Sequence, residues 1–220
     1  MDKPSKVRET DVERAARMIA FDNSFGYETV CGVDEAGRGP LAGPVSVCAC
    51  IMPSEVPLFG VDDSKKLNES KREKLYEDII RIADYCLVFI DRETIDRINI
   101  LEATKLGMKR AVEGLKEKPD FAIVDAVKGL DISVPYAPIV KGDANSYSVA
   151  VASIIAKVAR DRLMRRLDEE FPMYGFAKNK GYGTAAHIEA LKKYGATAEH
   201  RRSFIGNFID VSALDGENAV

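Results

Sequence analysis

Gly32-Val33-Asp34-Glu35-Ala36-Gly37-Arg38-Gly39 sets two adjacent carboxylates at the end of an apolar run and follows them with a Gly-Arg-Gly turn. The preceding Thr29-Val30-Cys31-Gly32-Val33 reads as a buried strand, and Val45-Ser46-Val47-Cys48-Ala49-Cys50-Ile51 reads as another. The acidic pair is therefore expected where one strand breaks toward the next. Buried charge at such a place needs compensation, which a divalent cation supplies.

Outward from that stretch the chain alternates. Asp11 to about Asn23 has helical spacing, and the second strand covers about Pro44 to Met52. After a loop from Pro53 to Leu67, Asn68 suits the N-cap of a helix with Leu75, Ile79 and Ile82 on one face. Tyr85 to Ile90 is a third strand. Asn99 and Glu102 have capping-box spacing, and Leu101, Met108, Val112 and Leu115 carry an apolar stripe toward a stop near Lys118-Pro119. Phe121 to Val124 forms a fourth strand running into Asp125, and Pro138-Ile139-Val140 a short fifth. From Ser146 to about Glu169 a long helix buries Val151, Ile154, Ile155 and Val158, and a last helix covers Ala185 to Tyr194. No internal repeat or low-complexity block occurs.

This alternation predicts an α/β domain, a mixed central sheet of about five strands with helices on both faces. The expected division is an N-terminal helical extension over 1–28, a catalytic domain over 29–210 and a polar, frayed tail over 211–220. In open sheets of this class, sites gather where strands end. If the first and fourth strands are neighbours, Asp34, Glu35 and Asp125 converge and form an oxygen-ligand set for Mg²⁺ or Mn²⁺. Asp143 is a fourth candidate ligand, with capping of the following helix as its alternative role.

Composition sets the bounds. The 220 residues, 46% hydrophobic, suffice for one substantial core. No run approaches the roughly 20 apolar residues of a membrane span, and Met1 to Asp11 is charged rather than signal-like, so a cytoplasmic protein without membrane association is expected. Cys31, Cys48, Cys50 and Cys86 lie in apolar runs without metal-site spacing and read as reduced core residues. The net charge of -3 is uneven: Lys141 to Arg202 holds twelve Lys/Arg against seven Asp/Glu, a local +5 that leaves -8 elsewhere. Within it Arg160, Arg162, Arg165 and Arg166 are either a nucleic-acid face or a solvated helix surface. Other motifs fail: the glycines of residues 37–43 have the wrong spacing for a dinucleotide loop and precede a strand, no Walker A sequence exists, and His187 and His200 are too isolated for zinc.

Asp34-Glu35-Ala36-Gly37-Arg38-Gly39-Pro40, Asp63-Ser64-Lys65-Lys66-Leu67, Val124-Asp125-Ala126, Lys141-Gly142-Asp143, Ala152 to Val158, Gly181-Tyr182-Gly183-Thr184 and His200-Arg201-Arg202-Ser203-Phe204 together resemble the bacterial type 2 ribonucleases H, ribonuclease HII, in the same order. The resemblance spans about Val30 to Phe204. Because 33 residues precede Asp34, type 2 is expected rather than type 3, which has a large domain before its acidic motif. The resemblance implies a ribonuclease H-like fold and a metal-dependent endonuclease. Its substrates would be the RNA strand of RNA/DNA hybrids and ribonucleotides embedded in duplex DNA, with 3'-hydroxyl and 5'-phosphate products. By position, Asp34, Glu35, Asp125 and Asp143 match the family's acidic residues. They would hold two Mg²⁺ or Mn²⁺ ions roughly 4 Å apart that activate water and stabilise the leaving oxygen.

Telling RNA from DNA requires reading the 2'-hydroxyl. Gly37-Arg38-Gly39 lets backbone groups approach a ligand closely, Arg38 adds a phosphate contact, and Tyr182 matches the family aromatic that packs on the sugar at the junction. Outside the resemblance Tyr182 would read as a packing residue. Lys65, and less so Lys66, are candidate phosphate contacts. Asp62 and Asp63 read as turn chemistry, Asp161 as part of a surface ion pair, and Arg201 and Arg202 as either substrate contacts or braces. A monomer is expected. The alternatives are a DNA-directed nuclease of the same superfamily and a non-catalytic nucleic-acid-binding module.

Overall fold

Strand β1 (Val30–Ala36) is the middle of a five-stranded sheet whose order is β3-β2-β1-β4-β5. Its neighbours are β2 (Val45–Ile51), antiparallel, and β4 (Phe121–Asp125), parallel; β3 (Asp84–Ile90) and β5 (Tyr136–Ile139) form the edges. The computed structural model describes residues 9–53 and 57–212, so most of the expected frayed tail, residues 213–220, lies outside the described residues.

The expected first strand is longer than its apolar run. Asp34, Glu35 and Ala36 stay in register with Cys48, Val47 and Ser46. The carboxylates thus sit on the last pairs of the strand rather than in a break after it, because β2 continues alongside them. The pairing of β1 with β4 places Val33 beside Val124, so the next residue on each parallel strand is Asp34 and Asp125. That adjacency is the one on which convergence of the carboxylates depended.

Helices cover both faces, as the alternation predicts. Helix α3 (Arg92–Glu113) packs Ile95, Ala103, Met108, Ala111 and Val112 against Cys31, Val33, Val47 and Val124 on one side. On the other, α5 (Tyr147–Glu170) is the centre of a cluster with α1 (Asp11–Asn23) and α2 (Glu69–Ile82). Residues Val149 to Ile155 of α5 are nearly all fully buried, each large aliphatic side chain contributing about 1.5–3 kcal/mol of transfer free energy. Gly32 permits the close approach: a Cβ there would lie 2.0 Å from the Ser148 carbonyl carbon and 2.2 Å from the Val149 nitrogen. Helix α5 is thereby pressed onto β1 two residues before Asp34.

Local capping follows the sequence in most places. Thr10 and Glu13 form a capping box on α1, and the Asn68 side chain accepts from the Lys71 N–H at the start of α2. Asn99 caps as its spacing predicts, accepting from Leu101 and Glu102, but from inside a longer helix. Its left-handed φ of 66° breaks α3 there, and Asp91 caps the preceding turns through the Thr94 N–H. The helix ends at Glu113, earlier than Lys118, where Gly114 meets Cys86. The short helices α4 (Gly142–Asn145), α6 (Phe176–Asn179) and α8 (Arg202–Ile205) carry too few residues to show a period, while α7 (Ala185–Tyr194) has its expected bounds. All four cysteines are free thiols, three of them buried, and burial pushes Cys31 up to about 12. Among the described residues no helix is long and apolar enough to cross a membrane.

Candidate active site

A cavity of about 470 Å³ opens at the carboxyl ends of β1 and β4. Side chains at i and i+1 of a strand leave opposite faces. Because the sheet ends here, however, both Asp34 and Glu35 line the cavity, with Asp125 from β4. Asp34 is 4% exposed and takes hydrogen bonds from the Glu35 N–H (2.7 Å) and the Ser153 hydroxyl on α5. Desolvation, with the charges of Glu35 and Asp125 behind it, pushes its carboxyl well above the usual range. Glu35 is also raised, by burial, although Arg38 beside it (3.4 Å) opposes the shift. Its Oε2 is buried without a hydrogen-bond partner among the described residues.

Asp125 is fixed from the next layer of chain, its Oδ1 accepting from the Gly142 N–H at 2.7 Å. Asp143 follows on α4, 5% exposed and raised by burial and by Asp63. It does not cap α5; Ser146 does, accepting from the Val149 N–H. Asp143 stands behind the cavity wall, where Lys65 Nζ reaches its Oδ2 at 3.4 Å. Lys65 itself extends into solvent and lines the cavity.

The Gly37-Arg38-Gly39 turn and Tyr182 meet across the opposite wall. The Tyr182 ring is 47% exposed, and a Cβ on Gly39 would touch it at 3.5 Å. Gly37 takes a φ of 97°, which only glycine adopts freely, and Gly181 passes close to the Ala42 carbonyl. All nine site residues expected from the sequence therefore lie in or against one cavity.

The lining also includes Ser64, Arg72 and Lys157, to which the sequence had assigned no role. Ser64 bonds Ser153 (2.9 Å), and Arg72 holds the Ser64 and Leu67 carbonyls. The signal for Lys157 was available, since Ser153, Lys157 and Arg160 recur at i, i+4 and i+7 on α5, one helix face. Asp161 is not on the surface, as expected, but 4% exposed, with Lys157 as its partner at 2.6 Å. Lys66 instead pairs with Asp62, and Asp62 and Asp63 accept from the turn's backbone, in keeping with their reading as turn chemistry.

The basic stretch divides into two. Arg162 and Arg165 pair with Glu73, Glu77 and Glu69 of α2, whereas Arg160 and Arg201 are fully buried and bond backbone carbonyls around the Gly37–Gly43 loop. Arg201 is thus a brace. The histidines are distant in sequence and adjacent in space: His187 Nε2 lies 3.1 Å from His200 Nε2. His187 Nδ1–H donates to the Tyr182 carbonyl, and His200 Nδ1 accepts from the Thr197 N–H, so the shared proton belongs to His200 Nε2. Burial lowers both, His200 to about 4.

Chemically, the cavity presents carboxylates that oppose one another's ionisation, only partly offset by Arg38 and Lys65, facing a basic and glycine-rich wall. Among the described residues no three potential ligands are gathered closely enough to enclose an ion unaided. The set fits a hard cation that completes its shell with water and phosphate oxygens.

Comparison with known proteins agrees with this arrangement. The ribonuclease HII family model matches residues 31–207. Ribonuclease HII of Acetivibrio thermocellus is 50% identical over 205 residues, 91% of this chain and 80% of the relative, and that of Caldicellulosiruptor bescii is 50% identical over 187 residues, 84% and 91% respectively. Among solved structures, ribonuclease H2 of Pyrococcus horikoshii superposes with a TM-score of 0.69 at 29% identity, covering 80% of this chain and 93% of that one. A ribonuclease HIII solved with Mn²⁺ shares the fold at 19% identity, with a TM-score of 0.66, covering 87% of this chain and 67% of that one. With a ribonuclease H-like sheet, the family's model along most of its length and relatives at half identity, the chain belongs to the ribonuclease HII family of endoribonucleases.

Proposed function

We propose that the cavity is the active site of a metal-dependent endonuclease that hydrolyses the RNA strand of RNA/DNA hybrids and incises duplex DNA at embedded ribonucleotides, leaving 3'-hydroxyl and 5'-phosphate ends. The observation that carries the reading is the under-compensated carboxylate set at the strand ends: Asp34 and Glu35 raised by burial, and Glu35 Oε2 without a partner among the described residues. Such a set is stabilised by the cation it binds. Asp34, Glu35 and Asp125 would hold Mg²⁺ or Mn²⁺, with Asp143 completing the set once Lys65 turns to a phosphate. Bound there, two such ions supply an activated water and a counter-charge for the departing 3'-oxygen.

The remaining tasks fall to the chain. Asp125, fixed by the Gly142 N–H, and Asp34, fixed by Ser153, present their free oxygens at a set separation. Arg38 and Lys65, both exposed at the rim, take phosphate oxygens. The Gly37–Gly39 turn offers backbone groups to the 2'-hydroxyl while Tyr182 packs on the neighbouring sugar, which discriminates RNA from DNA. We take residues 29–210 as the catalytic unit, with 1–28 as an extension whose Met18 packs into the α5 cluster.

The test is cleavage of otherwise identical duplexes containing no, one and several ribonucleotides, with Mg²⁺, with Mn²⁺ and with EDTA, mapping each cut. Cleavage only where ribonucleotides occur, abolished by EDTA, is expected. Equal cleavage of the all-DNA duplex makes the chain a DNA-directed nuclease, and binding without cleavage under any metal makes it a binding module.

A further inference from the structure

Arg160 and Arg201 are the largest fully buried side chains among the described residues, at 1% and 0% exposure. Neither forms an ion pair there; Arg201 feels the charge of Arg160, and the carboxylates of Asp96 and Asp161 act on Arg201 and Arg160 respectively without a direct contact. Two buried like charges with no carboxylate in direct contact are a costly way to fill space that apolar side chains would fill more stably. Their donors are instead committed to carbonyls. Arg201 donates from Nε to Gly43 O (2.9 Å), from Nη1 to Arg38 O (2.9 Å) and from Nη2 to Gly37 O (2.7 Å). Arg160 donates from Nε to Pro44 O (3.0 Å), from Nη1 to Lys180 O (2.9 Å) and from Nη2 to Ala42 O (3.1 Å).

Five of these six carbonyls belong to residues 37–44, and the sixth precedes the Gly181-Tyr182-Gly183 loop. In a trans peptide the carbonyl of one residue and the N–H of the next point in opposite directions. Drawing the Gly37 and Arg38 carbonyls inward therefore turns the N–H groups of Arg38 and Gly39 outward, at the exposed rim beside Tyr182. Gly37 is part of the same device, since a Cβ there would lie 2.0 Å from Arg160 Nε. Positive charge behind outward N–H donors also favours an anionic phosphate next to the sugar being read.

We propose that Arg201 and Arg160 are positioning residues for ribose recognition: their buried guanidinium forks hold the Gly37–Pro44 carbonyls and the Tyr182 loop inward, and so fix the outward N–H donors and the tyrosine ring at the spacing a ribonucleotide fits. This rests on the ribose-reading role given above to the Gly37–Gly39 turn and Tyr182.

Arg201→Lys and Arg160→Lys keep the charge but replace a fork spanning three carbonyls with a single ammonium. For wild type and both variants, affinities in EDTA are measured for a duplex with one ribonucleotide and for the same duplex in DNA alone, alongside kcat, KM and the thermal midpoint. The expected result is a preference for the ribonucleotide duplex reduced by about tenfold or more, with all-DNA affinity nearly unchanged because the phosphate contacts remain. If Arg201→Lys does not fold, Arg160→Lys carries the same readout. A preference that survives in the folded variants, with activity lost only in proportion to stability, overturns the proposal and leaves both residues as braces. A wild-type protein without any preference fails at the earlier step, the ribose-reading role itself, and is distinguished by that control.

Discussion

The end of β1 and the loop that follows it handle charge in opposite ways. At Asp34 and Glu35, like charges are gathered and buried, and one oxygen has no partner among the described residues. From Gly37 to Pro44, every guanidinium nitrogen that the structure directs inward has a carbonyl, and every such carbonyl a donor. The first region is unstable until something binds. The second is complete beforehand and has little freedom to adapt. Under the function proposed above, a site that accepts variable sequence but a specific sugar suits that division: the chemistry would wait for its ions, while the surface proposed to discriminate is already built.

The strongest way to break the contrast is to neutralise the unstable half. Asp34→Asn is expected to reduce cleavage by roughly 10³-fold or more while hybrid binding survives, and Asp125→Asn likewise. The sign of the stability change is opposite. Because Asp34 is raised in the folded, metal-free protein, ionising it weakens the fold as pH rises above its ordinary value of 3.8. Asp34→Asn should therefore raise the metal-free thermal midpoint at pH 8, with the gain shrinking as pH falls toward 4. A midpoint lower than wild type at pH 8 would contradict the account of that half.

Moving the scaffold that brings the halves together is the next largest change. Gly32→Ala puts a methyl into the α5 backbone and should cost about 3 kcal/mol in denaturant unfolding, with cleavage lost on every substrate alike. A smaller and more selective effect is expected on the built side, where Tyr182→Ala should lower kcat/KM at single ribonucleotides by roughly tenfold to a hundredfold, through lost packing on the sugar and base. An equal loss on long hybrids would count against junction reading. Smallest of all, Arg162→Ala removes half-exposed pairs to Glu73 and Glu77 and should change stability by about 1 kcal/mol or less, with selectivity intact.

Much of this was legible in the sequence because strands and long helices announce themselves by period. The five strands, α5 and α7 follow from apolar runs, and the adjacency of Asp34 and Asp125 follows once β1 and β4 pair. What was hidden depended on partners far along the chain. Nothing local marks Arg160 as buried and Arg162 as ion-paired two residues later, since the difference lies in the carbonyls of residues 42, 44 and 180 and the carboxylates of α2. Asp34 and Glu35 looked like residues beyond a strand because polarity there breaks the apolar pattern, although the backbone ladder does not depend on it. Arg72 reaches the cavity from α2, where only the apolar stripe was legible.

The paired histidines have a consequence for experiment. They are the chain's only two imidazoles, and burial favours the neutral form of each, with His200 at about 4 and His187 also lowered. A pH–rate profile from 5.5 to 8 therefore carries less of the imidazole background that usually obscures this range. A rise in rate across it reports the ionisation of carboxylates and of the attacking water, and can be followed residue by residue through the acidic variants.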